Sequence, residues 1–236
     1  MNSLKKTARG AGILYVILDV LLIFSGMYVD PKLYVPGDAA ATVSSILEFE
    51  WLFRLGFVSN LAGQIVSLFL VHTLYKLFRS VDKGQARLMV MLLALSVPVT
   101  FLNMLNQYAA VLLISGAGHL SAFNPAQLQT LAMIFLNLYD RGTIIAEIFW
   151  GLWLVPLGLL AYKSGFIPKV LGVLLIVGCF GHLLYFLSVF LFPAHSAILT
   201  PIAYAAMSGE LPVFLWFLIK GVKAQQPSSN GGRLKA

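Results

Sequence analysis

Six apolar stretches, each long enough to cross a lipid bilayer, constrain this chain more than any other feature of its sequence. A helix rises 1.5 Å per residue, so about 20 apolar residues cross a hydrocarbon core of ~30 Å. These runs exceed the ~10 residues of a barrel strand, which argues against a transmembrane barrel. The sequence therefore predicts an all-α polytopic membrane protein with six transmembrane helices. The predicted spans cover residues 10–29, 51–77, 88–114, 143–162, 170–192 and 198–219.

Composition supports the membrane class. The chain is 59% hydrophobic and 11% charged, whereas ordinary soluble domains carry about 25% charged residues. So few charges cannot cover a soluble domain of this size, and so much apolar surface does not stay disordered. Residues 1–223 are predicted to form one transmembrane domain, and the polar Gly/Ser-rich residues 224–236 a disordered tail. The lone cysteine, Cys179, lies in an apolar run and is interpreted as a packing residue.

Basic residues lie almost entirely on one side of the predicted bundle. With the N-terminus inside, the inner segments contain 13 of the 16 Lys and Arg residues, and the outer side holds only Lys32, Arg54 and Arg141. Cytoplasmic loops carry such an excess, so both termini are predicted to be cytoplasmic. The net charge of +7 is then a topology signal, and nucleic acid is not an expected partner. Span 1 lacks a signal-peptide cleavage pattern and is interpreted as uncleaved.

Two outer segments carry helix-start signals. Ser45 and Glu48 have capping-box spacing, which predicts an amphipathic helix starting near Ser45. Asn124, Pro125 and Gln127 predict a second amphipathic helix, with an N-cap, a first-turn proline and a completed capping box. We expect this second helix to end near residue 139 and the chain to bend at residues 140–142 into span 4.

Four ionisable residues, Asp19, Glu147, His182 and Glu210, fall deep within the predicted spans. An acid at the centre of a membrane helix costs roughly 2.5–3.5 kcal/mol on the insertion scale, so protonation, pairing or a wet cavity must offset it. Each residue shares a helix face with small residues, which mark the faces that meet other helices. Intramembrane ionisable residues of this kind are candidate functional residues.

The functional hypothesis is a polar mid-membrane cavity that opens outward, with charged residues at its mouth. The alternative hypothesis is a set of satisfied interhelical contacts in which the acids are neutral and only fix packing. Predicted cavity residues are Asp19, Asn60, Gln64, Asn103, Asn106, Gln107, Glu147, His182 and Glu210, and predicted mouth residues are Arg54, Asp140 and Arg141. Arg54 is expected to pair with Asp140 or Glu147, which would join the outer ends of spans 2 and 4.

Motifs for metal, nucleotide or nucleophilic chemistry are missing from the sequence, and no cofactor is expected. A metal site would need His72, His182, Glu147 and Glu210 to converge from four helices. Their predicted depths differ, which argues against that convergence. His182 also has no predicted histidine partner at its depth for a haem, and His119 and His195 fall in outer loops.

Several segments carry a resemblance to a known family. The most distinctive is residues 151–172 (GLWLVPLGLLAYKSGFIPKVLG), supported by residues 53–56 (FRLG), 74–78 (LYKLF), 209–216 (GELPVFLW) and 220–222 (KGV). From about Lys6 to Val222 the chain resembles the bacterial family known as domain of unknown function 4386. The resemblance implies a six-span bacterial inner-membrane protein and supplies no activity. Arg54 and Glu210 lie within the matching segments.

Three function hypotheses follow from the sequence. The leading one is binding or translocation of a small molecule, a lipid or a proton through the cavity around Glu210. The second is a structural or regulatory membrane subunit whose polar residues only fix helix packing. The third is a membrane-embedded enzyme, which the missing motifs make the weakest. The predicted partners are the lipid bilayer and a small-molecule or lipid ligand, and the sequence leaves the oligomeric state open.

Overall fold

The computed structural model describes residues 2–115 and 121–222, and within these ranges the chain forms helices joined by short turns, with no strand. Six helical segments are long and apolar enough to cross a membrane, which confirms the predicted all-α polytopic class. His119 and the predicted disordered tail lie outside the described residues. The six spans are Leu4–Leu33, Glu50–Phe78, Lys83–Ile114, Pro125–Lys163, Lys169–Phe190 and Pro193–Ile219.

Three spans contain local irregularities, two of which follow directly from proline. Span 4 consists of helices Pro125–Leu152 and Leu154–Lys163, which meet at Trp153, just before Pro156. Span 6 contains the 3₁₀ turn Ser208–Glu210, just before Pro212. A proline inside a helix lacks its N–H and clashes with the carbonyl four residues earlier, which places the disturbance at these positions. Span 1 contains a π-helical segment, Phe24–Val29.

The two predicted outer helices exist, with corrections to their bounds. The first begins at Ala39, six residues before the predicted start at Ser45, because Asp38 caps it by accepting from the Ala41 N–H at 2.9 Å. The second begins at Pro125 with the predicted capping box between Asn124 and Gln127. The predicted bend at residues 140–142 is wrong, since the helix continues unbroken from Pro125 to Leu152.

The six spans form a ring in chain order, each packed against its sequence neighbours, and spans 1 and 6 close it. One side of the bundle, called the termini side here, holds Asn2, Val222 and the connections at residues 79–82 and 164–168. The opposite side, called the far side, holds the helix Ala39–Glu48 and the start of span 4. The cytoplasmic placement of the termini stays a prediction.

Apolar packing is concentrated on the termini side. There Leu74, Leu77, Phe78, Leu160 and Phe217 are fully buried in one large cluster. A smaller far-side cluster joins the helix Ala39–Glu48 to the ends of spans 1 to 4. Between these two clusters the bundle core contains the ionisable residues.

Candidate functional site

Three of the predicted ionisable residues meet in the bundle core. The Nε2 atom of His182 lies 2.8 Å from Glu210 Oε1, and the Nδ1 atom of His182 hydrogen-bonds to Glu147 Oε2. The three side chains come from spans 5, 6 and 4 and are only 13%, 17% and 15% exposed. We call Glu147, His182 and Glu210 the carboxylate–histidine cluster. A protonated imidazole can donate to both carboxylates at once.

The expectation that differing depths keep these residues apart is wrong for these three. Glu147 lies 16 residues before Lys163, the end of its span, and Glu210 lies 9 residues before Ile219. At 1.5 Å per residue these positions are roughly 24 Å and 14 Å from the termini side. The two nitrogens of one imidazole ring face opposite ways, so His182 bridges carboxylates at different depths. His72 lies elsewhere, on the termini side near Tyr75 and Arg87.

Gly151 allows the cluster to form, and Gly178 lies beside Glu210 at an ordinary van der Waals distance. A Cβ added at Gly151 would lie 2.8 Å from the Cβ of His182, so only glycine lets spans 4 and 5 approach this closely. A Cβ at Gly178 would lie 3.5 Å from the Cγ of Glu210. The sequence placed Gly151 on the Glu147 face and Gly178 on the His182 face. The small-residue pattern therefore marked the helix faces that meet, although it did not identify the pairing.

The cluster is not arranged as a metal centre. Across residues 2–115 and 121–222, no group of three or more His, Cys, Asp and Glu side chains is placed to hold a metal ion. Metal ligation by His182 would require a free ring nitrogen, and both ring nitrogens are already hydrogen-bonded to carboxylates. The arrangement of one imidazole between two carboxyl groups is one that can exchange protons.

A cavity of about 370 Å³ lies beside the cluster, in the middle of the bundle. Four of the candidate residues, Asp19, Gln64, His182 and Glu210, line it. Asp19 has no hydrogen-bond or ion-pair partner among the described residues. The remaining walls are mainly aromatic and aliphatic, so a few polar groups stand in an apolar lining, as is typical of small-molecule pockets.

A second cavity, of about 550 Å³, lies on the far side. Leu22 and Trp150 line both cavities, so these two side chains separate them. The far-side cavity is lined by Asp30, Tyr34, Asn60, Tyr139 and Asp140 among others. Burial and the nearby Asp30 carboxylate raise the pKa of the Tyr34 hydroxyl above its ordinary range. Tyr34 is therefore neutral and accepts a hydrogen bond from Gln107 Nε2 at 3.1 Å.

The predicted amide residues divide between the cavities and helix packing. Asn60 donates to the Tyr139 hydroxyl at 2.9 Å and lines the far-side cavity. Asn103 donates to the Tyr139 carbonyl at 2.8 Å and lines neither of the two cavities. Its side chain occupies the space that a side chain at Gly142 would need, so it ties spans 3 and 4 together. Asn106 and Gln107 also lie outside both cavities.

The predicted ion pair of Arg54 with Asp140 or Glu147 is wrong. Arg54 Nη2 instead lies 2.5 Å from Glu50 Oε1, one turn earlier on its own helix, and both side chains are exposed at 67% and 50%. The spacing of four residues lets this pair form within the helix, while Glu147 is already hydrogen-bonded to His182. Asp140 lines the far-side cavity, and Arg141 Nε lies 3.8 Å from Asp140 Oδ2.

Sequence reasoning missed most of the aromatic wall of the mid-membrane cavity. Tyr15, Trp150, Trp153 and Phe214 line it. Trp150 follows Glu147 by three residues and so shares its helix face, a signal that could have identified it. Asp30 lies just beyond the predicted end of span 1 at residue 29, whereas the structure continues this span to Leu33.

Fold and site together define a multi-pass membrane protein with six spans and an ionisable cluster beside a cavity in its core. The chain belongs to the family described as domain of unknown function (DUF4386), which it matches over residues 10–221. It is similar to an uncharacterised protein of Archaeoglobus fulgidus, with 34% identity over 96 residues that cover 41% of this chain. That alignment spans 54% of the archaeal relative. No solved structure matches the chain.

Proposed function

We propose that the protein binds a small molecule in the mid-membrane cavity and couples this binding to proton movement through the carboxylate–histidine cluster. The observation that carries the proposal is the imidazole of His182 held between Glu147 and Glu210, with Glu210 also lining the cavity. Buried ionisable residues are costly in a membrane and are commonly part of ion, proton or substrate pathways.

The cluster can pass a proton without moving its helices. A proton on Glu147 Oε2 transfers to Nδ1 of His182, while the proton on Nε2 transfers to Glu210 Oε1. The net change is one proton moved from Glu147 to Glu210 and a switch of the imidazole tautomer. Protonation of Glu210 then changes the charge that faces the cavity. Ligand binding and proton position are therefore coupled through one carboxylate.

We propose the bacterial cytoplasmic membrane as the location, with both termini in the cytoplasm. The supporting observation is the excess of Lys and Arg in the segments on the termini side. In this orientation Glu147 lies nearer the outer face and Glu210 nearer the cytoplasm. A green fluorescent protein fused after Ala236 tests the orientation, because it folds to a fluorescent form in the cytoplasm and stays dark when exported.

Nitrogen-15 spectroscopy of labelled histidine, with the protein in lipid nanodiscs, tests the proton coupling directly. Replacement of His182 by Gln identifies its signals among the 4 histidines of the chain. We expect Glu147→Gln to leave the proton on Nε2, facing Glu210, and Glu210→Gln to leave it on Nδ1, facing Glu147. Opposite tautomers in these two variants would show that both carboxylates compete for one imidazole.

The matched control is Glu48→Gln, which changes an exposed acid of the far-side helix and leaves the cluster intact. The wild-type protein supplies a measurement that needs no variant, since its His182 signals should respond to pH between about 5 and about 8. One fixed tautomer in all variants, together with no response to pH, would assign the cluster to helix packing and reject the proton coupling.

A further inference from the structure

We propose that the ligand of the mid-membrane cavity is an amphiphilic monovalent organic cation, such as a quaternary ammonium, which enters from the bilayer between spans 1 and 6. This inference rests on the proposed function, because it names the class of molecule that the same cavity binds. Charge, aromatic walls and a side opening support it independently of one another.

The charge balance around the cavity favours a cation. Three carboxyl groups, those of Asp19, Glu147 and Glu210, stand against the single imidazole of His182. No Lys or Arg is among the residues that line this cavity. An isolated carboxylate in an apolar environment needs a proton or a cation to offset its desolvation. Asp19 therefore offers the charge that a bound cation would neutralise.

The aromatic side chains provide the matching walls. Tyr15, Trp150, Trp153 and Phe214 all line the cavity. Ring faces attract cations, and quaternary ammonium groups are commonly bound in this way, at about 2 kcal/mol or more for a desolvated pair. Tyr15 stacks on Phe214 with ring centroids 3.4 Å apart and lies 6.2 Å from the Trp153 ring. The mid-membrane cavity therefore offers a cation both negative charge, from the carboxyl groups, and apolar contact, from the aromatic rings.

The hydroxyl of Tyr15 is a buried polar group beside the cavity. Tyr15 is only 2% exposed, and within the described ranges its hydroxyl oxygen has no hydrogen-bond partner. Native proteins rarely leave a buried polar group unsatisfied. A quaternary ammonium accepts no hydrogen bond, so a water molecule bound beside the ligand would supply the missing partner.

Spans 1 and 6 leave an opening that connects the cavity with the bilayer. On the termini side they are in tight contact, since a Cβ at Gly12 would lie 2.6 Å from the Leu218 nitrogen. Towards the far side the helix Ser196–Met207 of span 6 packs on span 5 and makes no comparable contact with span 1. Ser208 and Leu211 line the cavity and are exposed at this opening. An amphiphilic molecule in the lipid can therefore reach Asp19.

Binding of phenyltrimethylammonium, compared with its neutral isostere tert-butylbenzene, tests the proposal. The protein is placed in lipid nanodiscs, and fluorescence of Trp150 and Trp153 reports on occupancy of the cavity. We expect saturable binding of the cation at least tenfold tighter than that of the isostere. Asp19→Asn should weaken cation binding at least tenfold and leave isostere binding unchanged, whereas Glu48→Gln should change neither.

Equal binding of cation and isostere to the wild-type protein would overturn the cation assignment, and this comparison does not depend on any variant folding. If the protein does not select the cation but the His182 tautomer still switches, the ligand class is rejected and the proton coupling stands. If the protein selects the cation but the His182 tautomer is fixed, the proton coupling is rejected and the ligand class stands. Equal affinity of the wild type and Asp19→Asn for the cation would also contradict the proposal, since Asp19 then contributes no charge.

Discussion

The termini side and the far side of the bundle differ in how closely their helices approach. On the termini side, helix backbones touch: a Cβ at Gly158 would lie 2.6 Å from the Gly172 carbonyl oxygen, and Gly12 approaches Leu218 equally closely. The far side instead contains the larger cavity, next to the π-helical segment Phe24–Val29. Backbone contacts therefore join spans 4 and 5 and spans 1 and 6 on the termini side, whereas the far side holds the larger of the two core cavities.

This difference has a physical cause in the placement of small residues. Membrane helices associate by close packing, since lipid provides no hydrophobic force between them. Where glycines face each other, as at Gly158 and Gly172, the spans approach closely and exclude solvent. Where a bulky side chain such as Trp150 lies between spans, it separates them and borders both cavities.

Alanine at Gly158 gives the largest expected effect on this comparison. The added methyl group would overlap the Gly172 carbonyl oxygen and the Ile176 side chain, and overpacking of this kind costs typically 1–3 kcal/mol. The matched variant is Gly26→Ala, whose added methyl group meets nothing within 4 Å. We expect Gly26→Ala to change stability by less than about 0.5 kcal/mol. Reversible unfolding in mixed detergent micelles measures both, and equal losses would contradict the comparison.

Asp82→Ala should give a smaller, pH-dependent effect on the termini side. Asp82 accepts from the Gln85 N–H at 3.1 Å and lies 3.4 Å from Lys163 Nζ, so it caps span 3 and joins it to the end of span 4. The Gln85 N–H and then the Lys163 ammonium lower the pKa of the Asp82 carboxyl below its ordinary value. Its stabilisation is therefore present above the unfolded pKa of about 3.9 and lost as pH falls through the folded pKa.

The melting temperature of Asp82→Ala in detergent, followed by tryptophan fluorescence, checks this prediction. The melting temperature of the variant should lie below that of the wild type at neutral pH. The difference between the two melting temperatures should become smaller below about pH 4. Asp82→Asn is the control, because an asparagine keeps the N-cap acceptor and removes only the charge. A difference in melting temperature that does not change with pH would show that the ionised Asp82 carboxylate contributes nothing to stability.

Arg54→Ala should give the smallest effect. Its exposed pair with Glu50 lies within one helix and joins no other span, and such pairs contribute about 0.3–0.5 kcal/mol. The thermal unfolding midpoint in detergent should therefore stay close to that of the wild type. A loss of several kcal/mol would restore a role for Arg54 in joining spans 2 and 4 and would weaken the contrast between the two sides.

The six spans and one helix cap could be predicted from the sequence because they depend on local signals. Uninterrupted apolar runs fix the spans, and Asn124 with Gln127 fixes one helix start. The start at Ala39 was missed because Ser45 and Glu48 also have capping spacing, whereas Asp38 provides the actual cap. The break at Trp153 was missed because Pro156, which causes it, lies within a span that reads as continuous.

The ionisable residues of the site were predictable, but their pairing was not. Membrane burial alone singles out Glu147, His182 and Glu210. Which of them meet depends on how three helices rotate and shift relative to one another, and a single sequence contains no measure of this. Arg54 shows the same limit, since a local partner at Glu50 was available and the prediction placed it across the bundle.

The ring of spans in chain order has a consequence for how the protein is made. Each span packs against the span inserted just before it, so the helices can pair in the order of their synthesis. Each such pairing needs only a short connecting loop to close. The contacts between spans 1 and 6 must wait until span 6 is made, among them Tyr15 stacked on Phe214. Glu210 also arrives with span 6. A nascent chain is therefore expected to assemble its first five spans around an incomplete cavity and to complete the carboxylate–histidine cluster only when span 6 inserts.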